Sequence, residues 1–294
     1  MDVEPRRELS SAGPSFGIAF GGGGARGLAH IHVIEALDEL GIRPVTIAGS
    51  SIGAIMGAAM AAGMTGRDIH AYARSILTRR AEVAGRMWSA RPASIAEAMA
   101  GGLRFTQFNI QRILTVFLPE QVPSSFEALG IPLKVTATDY YGHQGVIYSQ
   151  GDLLTALAAS AAIPAVFQPV RRDGLLLIDG GIYNPVPFDH LAGTADIVVG
   201  VDVVGAPSGD PDMVPTRMDA LFGANQIMMQ SIISLKLKTA PPEVFLRPDV
   251  GTFRVMDFNR VAEILDASKK VGDELKTKLD AAIEDHIRSR TAAF

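Results

Sequence analysis

The chain has 294 residues, 48% of them hydrophobic, with a formal net charge of −4 and no cysteine. That length and apolar content supply a sizeable core and allow one large domain or two small ones. The mildly acidic balance offers no general basic field for nucleic acid, and the lack of cysteine excludes disulfides, thiolate catalysis and cysteine-bound zinc.

Residues 1–15 carry no apolar stretch of the kind a secretory signal needs, and they read as a disordered tail. Phe16 to Phe20 (FGIAF) is a short apolar run that breaks into four glycines, the pattern of a buried strand entering a loop. Over residues 26–40, Ile31, Ile34, Leu37 and Leu40 recur about once per turn, which predicts a helix stopped by Gly41. Residues 44–48 (PVTIA) read as a second strand, and Gly49-Ser50-Ser51-Ile52-Gly53 leads straight from it into a helix rich in Ala, Gly and Met. That stretch, 51–64, is the longest apolar one and is too short for a membrane span, which takes about 20 apolar residues. A β-α-β-α opening with short connections implies a parallel sheet covered by helices.

Residues 66–130 show short helical patterns, the single Trp (Trp88) and no strong strand; they read as a helical cap over the sheet, with Trp88, Phe105 and Phe108 as candidates to touch a bilayer surface. Strand signals return at 133–138, 146–149, 175–178 and 197–203, with a helix at 152–162 among them. Residues 205–215 are loop-like, and 217–238 form a Met-rich amphipathic helix whose Phe222, Met228, Met229 and Ile233 belong either to the core or to an acyl-binding site. A last strand is predicted at 244–247 and a helical stripe at 260–283. With no repeat and no interdomain linker, the reading is a three-layer α/β/α fold with a mostly parallel central sheet, one domain over 16–285 with the cap inserted in it.

Two glycine-rich turns carry the chemistry. The first, Gly21-Gly22-Gly23-Gly24-Ala25-Arg26-Gly27, lies between a strand and a helix, where free N–H groups and a helix N-terminus can hold an anion. Gly22, Gly24 and Gly27 match the dinucleotide fingerprint, but the second strand ends without the acidic residue that motif needs, and no Gly-Lys-Ser/Thr follows for a nucleotide phosphate. A plain structural turn, or a cradle for the oxyanion of an acyl-transfer intermediate, remains. The second turn, Gly49 to Gly53, fits G-x-S-x-G between strand and helix, which selects Ser51 as a nucleophile; the competing reading is a helix N-cap serine.

A serine hydroxyl needs a base. None of the six histidines stands in a strand-end loop suited to a triad, and only His190 comes close, late in the sheet. Asp179, at the end of the strong strand 175–178 and before Gly180-Gly181, is better placed, although Asp139 and Asp202 also follow strands. A Ser-His-Asp hydrolase normally has several strands before its nucleophile, whereas Ser51 follows only two.

The ordered set Gly22-Gly23-Gly24-Ala25-Arg26-Gly27, Gly49 to Gly53 and Asp179-Gly180-Gly181 resembles the patatin-like phospholipase family. Ala159-Ser160-Ala161-Ala162-Ile163-Pro164 and Asn184-Pro185-Val186-Pro187 add to the likeness, which runs from about 16 to 283. The resemblance implies a serine acyl hydrolase that cleaves phospholipid or lysophospholipid through a Ser51–Asp179 dyad and an acyl-enzyme. It implies an oxyanion hole at Gly22, Gly23 and Gly24, with Arg26, Gly27, Gly49, Gly53, Gly180 and Gly181 in support. Arg26 is either a brace for the loop or a contact for phosphate. No metal-ligand cluster is visible in the sequence, so no metal or cofactor is expected, and the default expectation is a cytoplasmic enzyme in peripheral contact with membrane. Head group, chain length and oligomeric state are not legible in the sequence.

Overall fold

The structure, a computed structural model, describes residues 13–78, 108–210 and 212–292. Most of the predicted tail and the centre of the predicted cap, with Trp88 and Phe105, lie outside the described residues. Among the described residues eight strands form one sheet: β1 (Phe16–Phe20), β2 (Thr46–Ser50), β3 (Leu133–Asp139), β4 (Gln144–Tyr148), β5 (Val170–Arg172), β6 (Leu175–Asp179), β7 (Ile197–Val201) and β8 (Val244–Leu246). The helices are α1 (His30–Glu39), α2 (Ile52–Ala61), α3 (Gly66–Thr78), α4 (Ile110–Phe117), α5 (Leu153–Ser160), α6 (Arg217–Thr239), α7 (Val261–Ser268) and α8 (Lys270–Ala292).

Strands β3, β2, β1, β7 and β8 lie side by side in that order, all parallel. Because side chains alternate across a strand, Ile18 and Phe20 enter one core while Ala19 enters the other. The larger core fills the space under α1, α2, α5, α7 and α8, around Ile34, Ile47, Val135, Leu157 and Leu275. On the opposite face Ala19, Ala48 and Val198 meet Met229 and Ile233 of α6, together with Phe188 and Leu191 of a short 3-10 turn. The result is the three-layer α/β/α arrangement with a mixed, mostly parallel sheet.

Several elements differ in detail from the sequence reading. The helix predicted over 26–40 starts as a 3-10 turn (Gly24–Ala29) before α1, and Gly41 ends it with φ of 66°. The stripe over 260–283 is broken into α7 and α8 at Lys269. Strand β5 (VRR) was not expected, since an edge strand of three residues with two arginines has almost no apolar signal. Helix α3 packs on α1, where Glu35 joins His32 (2.7 Å) and His70 (2.9 Å). Phe108 is half-buried and pairs through its backbone with 166–168, so it is tied to the domain. Ser15, at the end of the predicted tail, donates from its N and Oγ to Asp196.

The β3 strand decides where the site forms. Its partner β2 pairs along it up to Ser50 opposite Thr136. Antiparallel β6 then takes over, with Asp179 opposite Ala137, the next residue. Hairpin partner β4 holds the other edge of β3. The C-terminal ends of β2 and β6 therefore point at one another, and the residues that end them are Ser50-Ser51 and Asp179. Asp179 reaches the site on an antiparallel strand, where the sequence reading placed it by analogy with parallel ones.

Candidate active site

Ser51 stands between β2 and α2 with φ 53° and ψ −125°, a conformation few non-glycine residues adopt. The strain persists because neighbours fix the turn. A Cβ on Gly49 would stand 2.5 Å from Ala54 Cα, and one on Gly53 would stand 2.2 Å from the Phe20 carbonyl oxygen, so strand and helix can meet only if both are glycine. The Ser51 N–H donates to Ser160 Oγ at 2.8 Å. The Ser51 hydroxyl is thereby held at the N-terminus of α2 and donates to Asp179 Oδ2 at 2.6 Å.

Asp179 is held from both sides. Its Oδ1 accepts the Gly181 N–H at 2.8 Å, its carbonyl accepts Thr138 Oγ1 at 2.8 Å, and its N–H donates to the Ala162 carbonyl at 3.1 Å. Burial pushes its pKa up to about 6 from 3.8, while the hydrogen bonds from Ser51 and Gly181 pull the other way. A Cβ on Gly180 would meet the Thr136 carbonyl at 2.3 Å, and one on Gly181 the Met229 methyl at 2.9 Å.

The glycine loop crosses the same edge. Gly21 N–H donates to Val201 O and Gly22 N–H to Pro185 O, each at 2.9 Å. The Gly22 donor is therefore committed to the protein. Gly22 instead lies against Ser51, where a Cβ would come within 3.2 Å of the Ser51 Cβ. The N–H groups of Gly23 and Gly24 have no acceptor among the described residues. Gly24 has φ of 60°, and its Cβ would lie 2.2 Å from the Val255 carbonyl oxygen, so only glycine fits.

Arg26 is buried, and its Nε donates to the Gly23 carbonyl at 3.2 Å. With its amide oxygen turned to the guanidinium, Gln226 accepts from Nη2 at 2.8 Å. Burial lowers the Arg26 pKa to about 10 against the pull of Asp202 and Asp257. A buried cation bonded to the loop's own carbonyl acts as a brace, and of the two roles left open for Arg26 the geometry favours this one. Gly27 gives room to Ile52, which a Cβ would meet at 2.3 Å.

His30 and His190 are bonded away from Ser51. His30 is buried, packs edge-on to Phe20 and bonds the Gly21 carbonyl through Nε2 at 2.9 Å, with its pKa lowered to about 4 by burial. His190 accepts from Asn184 Nδ2 at 3.1 Å in a cluster where Lys236 Nζ donates to Asn184 Oδ1 (2.5 Å), Asp189 Oδ1 (2.6 Å) and the Val186 carbonyl (2.7 Å). This cluster clamps α6 onto the chain that follows Asp179. Neither this cluster nor the bond from Ser51 N–H to Ser160 is legible in the sequence, although both segments belong to the motifs that carry the resemblance.

A three-layer α/β/α protein with a strained elbow serine bonded to a buried carboxylate is thus defined. The chain belongs to the patatin-like phospholipase family, whose model matches residues 18–192. An uncharacterized NTE family protein of Mycobacterium bovis is 39% identical over 204 residues, covering 69% of this chain and 53% of the relative. Lysophospholipase NTE1 of Pyricularia oryzae is 26% identical over 291 residues, 91% of this chain but 19% of the fungal protein. The chain therefore spans about half the length of the mycobacterial relative and a fifth of the fungal one. Among solved structures, VipD from Legionella pneumophila is 14% identical with a TM-score of 0.47, covering 93% of this chain and 67% of VipD.

Proposed function

We propose that the chain is a serine lipid acyl hydrolase of the phospholipase A or lysophospholipase type, acting through Ser51 and Asp179 within a single domain over 16–285. The observation that carries this reading is the 2.6 Å bond from the elbow serine to a buried carboxylate. Family membership and the name of the fungal relatives, lysophospholipase, support the substrate class.

In the proposed reaction Asp179, ionised, takes the Ser51 proton as Oγ attacks the ester carbonyl. The N–H groups of Gly23 and Gly24 bond the oxyanion, each donor of this kind being worth about 2.7–4 kcal/mol. The tetrahedral intermediate collapses, the ester C–O bond breaks, and Asp179 returns its proton to the departing alcohol, leaving acyl-Ser51. Water then attacks the acyl carbon and gives its proton to Asp179. Fatty acid departs as that proton returns to Ser51. A carboxylate is an unusual base for serine. Burial that raises Asp179 to about 6 brings it nearer the operating pH, and the bond from Ser51 aims it.

Among the described residues no helix is long and apolar enough to cross a membrane, and the proposed contact with lipid is peripheral. The test is release of fatty acid from lysophosphatidylcholine and phosphatidylcholine by wild-type protein and by Ser51→Ala. The reading requires turnover by the first and none by the second. Equal turnover by both, or none by either with dispersed lipid, contradicts it.

A further inference from the structure

Helix α6 is apolar on both sides. Its inner face holds Met229 and Ile233 in the core. On the outer face Leu221, Met228 and Leu235 follow one another at seven-residue spacings, which puts them on one stripe. They are 52%, 59% and 62% exposed. A surface helix normally turns polar residues outward, and a run of exposed apolar groups marks a surface that is covered in use. The sequence expectation that Met228 faces the interior is corrected here: the inner methionine is Met229.

The place of this stripe bears on what covers it. Helix α6 begins beyond the loop that leaves the C-terminal end of β7, the end beside the Gly21 turn. Its Met229 stands over Gly181, next to Asp179. Tyr183 follows on the same turn, exposed, with its ring against Gly145 of the β3–β4 hairpin. That hairpin presents Tyr140 and Tyr141, also exposed and packed edge to face. β3 runs parallel to β2, so these tyrosines leave the sheet at the edge where Ser51 stands.

Charge points to the chemistry of the partner. Between 217 and 239 the helix has three cations (Arg217, Lys236, Lys238) and one acid, Asp219. Asp219 is occupied by Thr216 and lies 3.8 Å from Arg254. Arg217 and Lys238 are exposed at opposite ends of the helix, and the stripe between them is uncharged. An apolar middle with cations at its ends matches a phospholipid surface, with acyl tails beneath and phosphates around, and tyrosine suits the boundary between the two.

We propose that the outer face of α6, flanked by Tyr140, Tyr141 and Tyr183, is the surface by which the protein lies on a phospholipid layer, with the Ser51 edge turned toward it. The proposal rests on the acyl-hydrolase reading for its purpose, since it lets an acyl chain pass to Ser51 without crossing bulk water.

The test uses the 294-residue chain with Ser51→Ala, so that binding is read without turnover, and flotation with vesicles of phosphatidylcholine and phosphatidylglycerol. Leu221→Gln, Met228→Gln and Leu235→Gln are combined on this background. Removing three apolar contacts lowers the partition coefficient by about 100-fold. The same triple variant with Ser51 intact hydrolyses a monomeric short-chain ester as wild type does. Equal flotation of both proteins, or none by the parent, overturns the proposal. So does a parent dimer in sedimentation that the triple variant dissolves, since the stripe then belongs to a second copy. Flotation that the stripe controls, in a protein without Ser51-dependent turnover, upholds the surface and refutes the hydrolase reading alone.

Discussion

The Oγ of Ser160, at the end of α5, accepts the backbone N–H of Ser51 at 2.8 Å. The bond links the elbow to a helix that is 109 residues away in the chain, and it is buried. Ser160→Ala leaves the Ser51 N–H with no acceptor, at a cost of about 1–3 kcal/mol. The expected result is a lower midpoint in urea unfolding and a fall in kcat with KM little changed, because the elbow loosens while the acyl site keeps its shape. A variant with wild-type kcat would show that the elbow does not need this bond.

Asp179 sets a pH dependence of both activity and stability. As the proposed base it must be ionised, so kcat/KM is expected to rise with pH through about 6 and then level. The stability sign is opposite to that of a salt-bridged carboxylate. A pKa raised by folding from 3.8 to about 6 means the folded state binds the proton more tightly. The stability gained from that proton is complete below the unfolded value and is lost as pH rises through the folded one. Above it, the buried ionised group costs roughly 3 kcal/mol relative to the unfolded chain. Asp179→Asn, inactive, is therefore more stable than wild type at pH about 8, and the difference shrinks toward pH about 4. Urea unfolding at several pH values measures this.

Arg26 holds the Gly23 carbonyl and, through it, the peptide planes of the loop that carries the proposed oxyanion donors. Arg26→Met keeps the bulk of the side chain and removes the donor. A fall in kcat of about 100-fold or more, the size of a lost oxyanion donor, is expected with a smaller change in KM. If KM for phospholipid rises and kcat holds, Arg26 contacts substrate phosphate instead.

The elbow glycines allow a sharper test of packing. A Cβ on Gly53 would stand 2.2 Å from the Phe20 carbonyl oxygen. Both atoms belong to the framework of the central sheet and α2, so neither can yield cheaply. Gly53→Ala is expected to give insoluble protein, whereas Gly41→Ala, in open space with φ of 66°, costs only backbone strain of about 1 kcal/mol.

The strand-loop-helix units around Gly21 and Ser51 were legible because glycine runs and apolar strands are local signals, and the structure puts Ser51 and Asp179 in contact as their motifs suggested. The antiparallel approach of β6 was not legible, since a run such as LLLID says nothing about direction. The commitment of Gly22 N–H to Pro185 was hidden for the same reason: it depends on a loop far along the chain. The helix over 217–239 misled in a different way. Its abundance of Met, Leu and Ile suggested one buried stripe, but only a narrow face fits against the alanines of the sheet, and the remaining apolar residues are left outside. Strand β5 shows the limit at the other end of the scale, where pairing with β6 overrides a sequence that is locally polar.

The central claim is that Ser51 is an acylated nucleophile driven by Asp179. Intact-protein mass after exposure to a fluorophosphonate tests it most directly, on wild type, Ser51→Ala and Asp179→Asn in parallel. One adduct on wild type, none on Ser51→Ala and a greatly slowed adduct on Asp179→Asn is the expected result. An adduct on Ser51→Ala, accompanied by continued ester turnover, would contradict the account.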